Sequence, residues 1–156
     1  MSARMMSAAV FAVALAASAQ PVFADVSRTV ISAFHGQLVI TKDDLPEGKN
    51  DKETIAKIKA AQLKSLDGTA KGDVTGWNFH YTAFLTKTGA THLKLEFMNG
   101  DKLAADQQLD GVDAKSAVLT GDISIDEDEG LAKGKTYTVQ VMNGSSIVAK
   151  TTLTMK

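Results

Sequence analysis

The chain has 156 residues, with 17 basic against 18 acidic side chains and no cysteine. So even a balance disfavours nucleic acid or an anionic membrane surface as the partner. Without thiols there is no disulfide scaffold, no lipid-attachment cysteine and no cysteine nucleophile, so the fold must be held by core packing.

Residues 1–24 have the three-part layout of a secretory signal. Arg4 carries the only charge in this segment, and Ala8–Ala17 is a run of ten uncharged apolar residues. A more polar stretch then ends at Val22-Phe23-Ala24, which suits cleavage after Ala24; Ala17-Ser18-Ala19 offers an alternative cut. Ten residues rise only about 15 Å as a helix, half of a ~30 Å hydrocarbon core, so the run reads as a removable signal. The expected product is one soluble domain, residues 25–156, in the periplasm or the medium, with no membrane insertion after cleavage. It has 16 basic and 18 acidic residues. A domain of this size buries roughly two-thirds of its unfolded surface.

Along that domain an opening strand is expected near residues 27–32, and Phe34, Leu38 and Ile40 share one parity. A polar loop follows. Asn50 with Glu53 three residues on is a capping pair, and Ile55, Ile58, Leu63 and Leu66 recur at helical spacing. These predict one inserted amphipathic helix over residues 51–65. Next comes the longest alternating stripe, Trp77, Phe79, Tyr81, Ala83 and Leu85, with Asn78, His80 and Thr82 between. A turn at Lys87–Ala90 is read as a hairpin that places Leu85 opposite Leu93.

Leu93, Leu95 and Phe97 continue the alternation, followed by a strand over residues 102–108. Leu119, Ile123 and Ile125 come next, then Tyr137, Val139 and Val141, then Ile147, Ala149, Thr151 and Leu153. Met98-Asn99-Gly100 and Met142-Asn143-Gly144 mark tight hairpins. Parity favours three-residue loops ending in left-handed glycine, with Phe97 opposite Asp101 and Val139 opposite Ile147. About seven or eight short strands separated by turns indicate an antiparallel sandwich or barrel.

The run Leu131-Ala132-Lys133-Gly134-Lys135-Thr136-Tyr137 resembles the tyrosine corner of immunoglobulin-like and fibronectin-III-like domains. The resemblance covers about the last forty residues. It implies an immunoglobulin-like β-sandwich in which this tyrosine enters the penultimate strand, and it implies no particular ligand.

Three candidate sites stand out. Asp126, Asp128 and Glu129, with Asp122 upstream, gather carboxylate oxygens of the kind Ca²⁺ takes, though without the register of an EF-hand loop. Phe84 interrupts a polar face; with Met98 it would form an exposed partner-binding patch, but the simpler reading is that the 51–65 helix lies across that face and covers both with Ile55, Ile58 and Leu66. His35, His80 and His92 do not converge, so no zinc or copper site is expected. No serine lies in a Gly-x-Ser-x-Gly elbow and no glycine-rich loop cradles phosphate, so a hydrolytic site would have to form only in three dimensions. The expected function is therefore a non-enzymatic binding module for a protein of the envelope or secretome, with no cofactor. Calcium or small-ligand binding at Asp122–Glu129 is the alternative.

Overall fold

The structure is a computed structural model that describes residues 26–87, 89 and 92–156; the expected signal, residues 1–24, lies outside them. Its elements in chain order are helix α1 (Arg28–Ala33), β1 (Leu38–Thr41), helix α2 (Asp51–Ala61), β2 (Ser65–Leu66), β3 (Thr69–Lys71), β4 (Val74–Phe84), β5 (Leu93–Asn99), β6 (Lys102–Leu109), β7 (Val118–Asp126), a 3₁₀ turn (Glu127–Glu129), β8 (Thr136–Asn143) and β9 (Ser146–Met155). No helix among the described residues is long and apolar enough to cross a membrane.

Two sheets form. In the first, β7 pairs with β4 from Gly76 to Phe84, while β1 and β3 share β4's other side. The second runs β2-β9-β8-β5-β6. Gln37, just before β1, bridges to Lys150 of β9, so the first strand reaches both sheets. The backbone N–H of Ala132 donates to Tyr137 Oη at 2.9 Å, closing the tyrosine corner at the entry to penultimate β8. The fold is therefore an immunoglobulin-like sandwich.

Its core comes from facing stripes. Trp77, Phe79 and Tyr81 of β4 and Ile123 and Ile125 of β7 meet Leu93, Leu95, Phe97, Tyr137, Val139, Val141 and Leu153 of the second sheet. Phe97 sits edge-on to both Phe79 and Tyr137, with ring centroids 6.4 and 6.5 Å apart. This is the offset geometry that the ring quadrupoles favour.

Four expectations are corrected. The opening segment is helical: Ser27 Oγ caps it by accepting from Val30 N, and Val30 and Phe34, four residues apart, are both buried. That spacing belongs to a helix face and overrides the β-branched composition. Helix α2 starts where its cap predicts, with Glu53 N donating to Asn50 Oδ1 at 2.9 Å, but it ends at Ala61. Leu63 N is taken by Ile40 O at 2.8 Å, so Leu63 and Leu66 are extended and pack in the main core.

The third correction concerns β4 and β5, which lie in different sheets and form no hairpin. Thr86 N already bonds Val148 O in the second sheet. Side by side in one sheet, the two apolar stripes would share a face with nothing opposite; by crossing over, they face each other.

The fourth concerns the hairpin loops. Their turn residues are Gly100-Asp101 and Gly144-Ser145, pairing Asn99 with Lys102 and Asn143 with Ser146. Each glycine does have positive φ, +62° and +59°. One extra residue in each return strand then restores parity, so Phe97 faces Ala105 and Val141 faces Ala149. These bulges do the work assigned to the longer loops.

The helices lie on the outer face of the first sheet. Val30 and Phe34 of the α1 segment, Ile58 of α2, Val39 of β1 and Phe84 of β4 form a second apolar cluster, with Phe34 and Phe84 stacked at 5.2 Å. Replacing Phe84 with Ala is expected to cost about 3–5 kcal/mol in urea unfolding, as for other large buried aromatics. A loss below about 1 kcal/mol would contradict the packed roof.

Candidate functional site

Beyond the helical roof, the outer parity of β4 and β7 becomes polar. Phe84 pairs with Val118, Thr82 with Thr120, His80 with Asp122 and Asn78 with Ser124. The row thus runs from apolar under the helices to exposed at Asn78 and Ser124. His80 sits at the transition and is only 2% exposed. Its Nδ1 lies 3.0 Å from Asp122 Oδ1 and 3.7 Å from Asp44 Oδ1, and its Nε2 lies 3.0 Å from Thr120 Oγ1. Nδ1–H donating to Asp122 leaves Nε2 to accept the Thr120 hydroxyl, a tautomer assigned from the bonding pattern.

Carboxylate, imidazole and hydroxyl stand in the order used for nucleophilic catalysis. An open hollow of about 290 Å³ lies alongside, lined by Lys42, Asn78, Phe79, Asp122, Ile123 and Ser124. It reaches Asp122 but neither Thr120 nor His80. What the trio does visibly is pin β4 to β7 across the edge of the roof.

On the opposite face of the same pair, Tyr81 lies against Gly121, where a Cβ would come within 3.0 Å of the ring. Burial first, and then the Asp122 charge, push the Tyr81 phenol up to about 12.

The acidic run is used locally. Asp126 Oδ1 accepts from Asp128 N at 3.1 Å, and Glu129 Oε2 accepts from Asp126 N at 2.9 Å, a reciprocal cap on the 3₁₀ turn. Glu127 Oε2 accepts from Thr75 N at 2.6 Å, and this bond holds its carboxyl below the usual range. Of the four proposed calcium ligands, Asp126, Asp128 and Glu129 share this turn, while Asp122 is drawn to His80. Among the described residues no group of three His, Asp or Glu side chains is placed to hold a metal.

Phe84 and Met98 do not form one patch. Phe84 is fully buried under the helices, whereas Met98 is on the outer face of the second sheet beside Leu103 and Thr138. The crossover of β5 separates them. His35 and His92 are exposed, whereas His80 is buried.

Two surface features were not singled out from sequence. The second sheet's outer face carries Met98 with Leu103 near one end and Met142 with Ile147 near the other. Leu103 and Ile147 are about half exposed, at 51% and 47%. Between them, Lys94 Nζ reaches Glu96 at 3.2 Å and Asp106 at 3.6 Å, and Gln140 Nε2 donates to Glu96. The cue was available: each pair brackets a tight Asn-Gly turn. The second feature is β7 itself, which among the described residues pairs only with β4. No local sequence signal marks an edge strand of that length.

No protein-family model matches the chain, and no curated protein does. Among solved structures, it is similar to an immunoglobulin-like protein from Pseudomonas aeruginosa at 13% identity. That alignment covers 75% of this chain and 96% of the other, with a TM-score of 0.35.

Tyr81 makes alkaline stability testable. A phenol whose folded pKa lies near 12, against 10 unfolded, stays protonated in the folded state while the unfolded chain loses its proton. Stability is therefore full below pH 10 and is lost as pH rises toward 12. Urea titrations across that window should show this loss, and Tyr81→Phe should remove much of it; an unchanged slope in the variant would assign the loss elsewhere.

Proposed function

We propose that this chain is an exported, non-enzymatic binding module that holds another protein of the envelope or secretome through a free strand edge. Export rests on the signal-like composition of residues 1–24. Binding rests on one observation, the state of β7. Sandwiches protect their edges by short strands, bulges, prolines or lysines, because unpaired N–H and C=O groups recruit other chains.

Here β1, β2 and β3 have four, two and three residues, and β6 carries Lys102 and a bulge. β7 has nine residues in unbroken register with β4, and its sequence VLTGDISID contains no lysine and no proline. Among the described residues it is the longest edge without a bulge, proline or lysine, and its charged side chains are Asp122 and Asp126.

A hydrolytic reading has one observation in its favour, the Asp122–His80–Thr120 order, and is opposed by the burial of the imidazole away from the hollow. Calcium at the acidic turn is favoured by composition alone, since the Asp126, Glu127 and Glu129 carboxylates already accept backbone N–H groups.

The test is photocrosslinking in producing cells, with the full chain carrying the photoreactive residue at Ser124 of β7 or at Lys57 on the roof. The expected result is a discrete adduct with another protein from position 124 and none from position 57. No adduct from position 124, or equal adducts from both, would overturn the reading.

A further inference from the structure

The free edge also has a chemistry. Its outward-facing row is Thr120, Asp122, Ser124 and Asp126, and its inward row is Leu119, Gly121, Ile123 and Ile125. The Asp122 side chain is 88% exposed despite its bond to His80. Asp126 stands on the same row at the end of the strand, and Glu127 follows it directly. Lys42, which lines the hollow beside Asp122, is followed directly by Asp43 and Asp44. Among the described residues, an unpaired strand side and the exposed Asp122 carboxylate thus lie on one strand.

A second copy of this chain fits poorly. Antiparallel self-pairing centred on β7 would set Asp122 against the partner's Asp122, and like charges directly opposite one another destabilise a strand pair. A cationic strand has the opposite sign. We infer that β7 takes an extended basic segment as an added strand, with lysine or arginine on the side facing Asp122 and apolar residues at alternate positions continuing the inward row. Backbone hydrogen bonds would supply the attraction common to any extended chain, and the Asp122 face would select the charge. This inference rests on the reading of β7 as the binding edge and adds the class of segment it accepts.

Three synthetic nonapeptides test it by fluorescence anisotropy against the full chain: alternating Val and Lys, alternating Val and Glu, and alternating Gly and Lys. The Val/Lys peptide should bind, with roughly tenfold or greater loss for each of the other two. Its affinity should fall as salt rises. Ser124→Lys, a change at an exposed position, should weaken it roughly tenfold while leaving the melting temperature unchanged.

Equal binding by Val/Lys and Val/Glu would overturn the charge selection. Equal binding by Gly/Lys would reduce the effect to charge attraction and overturn strand addition, as would an unaffected Ser124→Lys variant. If Val/Lys fails to bind while position 124 still crosslinks to a cellular protein, the basic partner is wrong and the edge reading stands. If both fail, both fall.

Discussion

The His80–Phe84 stretch of β4 is covered on both faces, and the rest of the molecule is arranged around that constraint. Its inward residues Trp77, Phe79 and Tyr81 fill the sandwich, while outward Phe84 is as fully buried as any of them. An immunoglobulin-like sandwich leaves such an outer face to solvent unless something is added. The addition is α1 and α2, whose Val30 and Ile58 close over Phe84 and Val39. At roughly 25 cal/mol per Å² of apolar surface removed from water, this roof stabilises a sheet that would otherwise expose the phenylalanine at the end of its central strand.

The roof ends where the β4–β7 face turns polar, and His80 is the side chain that manages the change. A buried imidazole costs free energy unless its nitrogens are matched, and here Asp122 and Thr120, two apart on one strand, match both. The same geometry explains why this trio resembles catalytic machinery while its imidazole is buried away from the hollow. It also binds β7 firmly on the β4 side and leaves that strand's other side unpaired among the described residues.

Much of the sandwich was legible from period-2 alternation, because a half-buried strand imprints its two faces directly on the sequence. Trp77 to Leu85 and the Tyr137 corner were read correctly for that reason. What alternation cannot convey is which sheet a strand joins, so the β4–β5 connection was misassigned and Met98 was placed beside Phe84. Bulges were invisible for a related reason: one inserted residue at Ala104 or Val148 corrects parity after a turn, and sequence parity alone attributes the correction to the loop. The α1 segment was missed because valine and isoleucine suggest a strand, while the decisive information was the four-residue spacing of Val30 and Phe34 behind Ser27. Among the candidate sites, the acidic run was visible, but its use as a turn cap depends on backbone geometry. The His80 trio depends on the pairing of two strands some forty residues apart in the chain.

Among the described residues, the roof and the His80 pin secure β7 on one side only. Amide hydrogen exchange on the free protein tests it residue by residue. Slow exchange throughout the central part of β4, with alternating slow and fast amides from Val118 to Asp126, is the predicted pattern. Uniform protection across those β7 amides would mean that its outer edge is already covered, and would contradict the account.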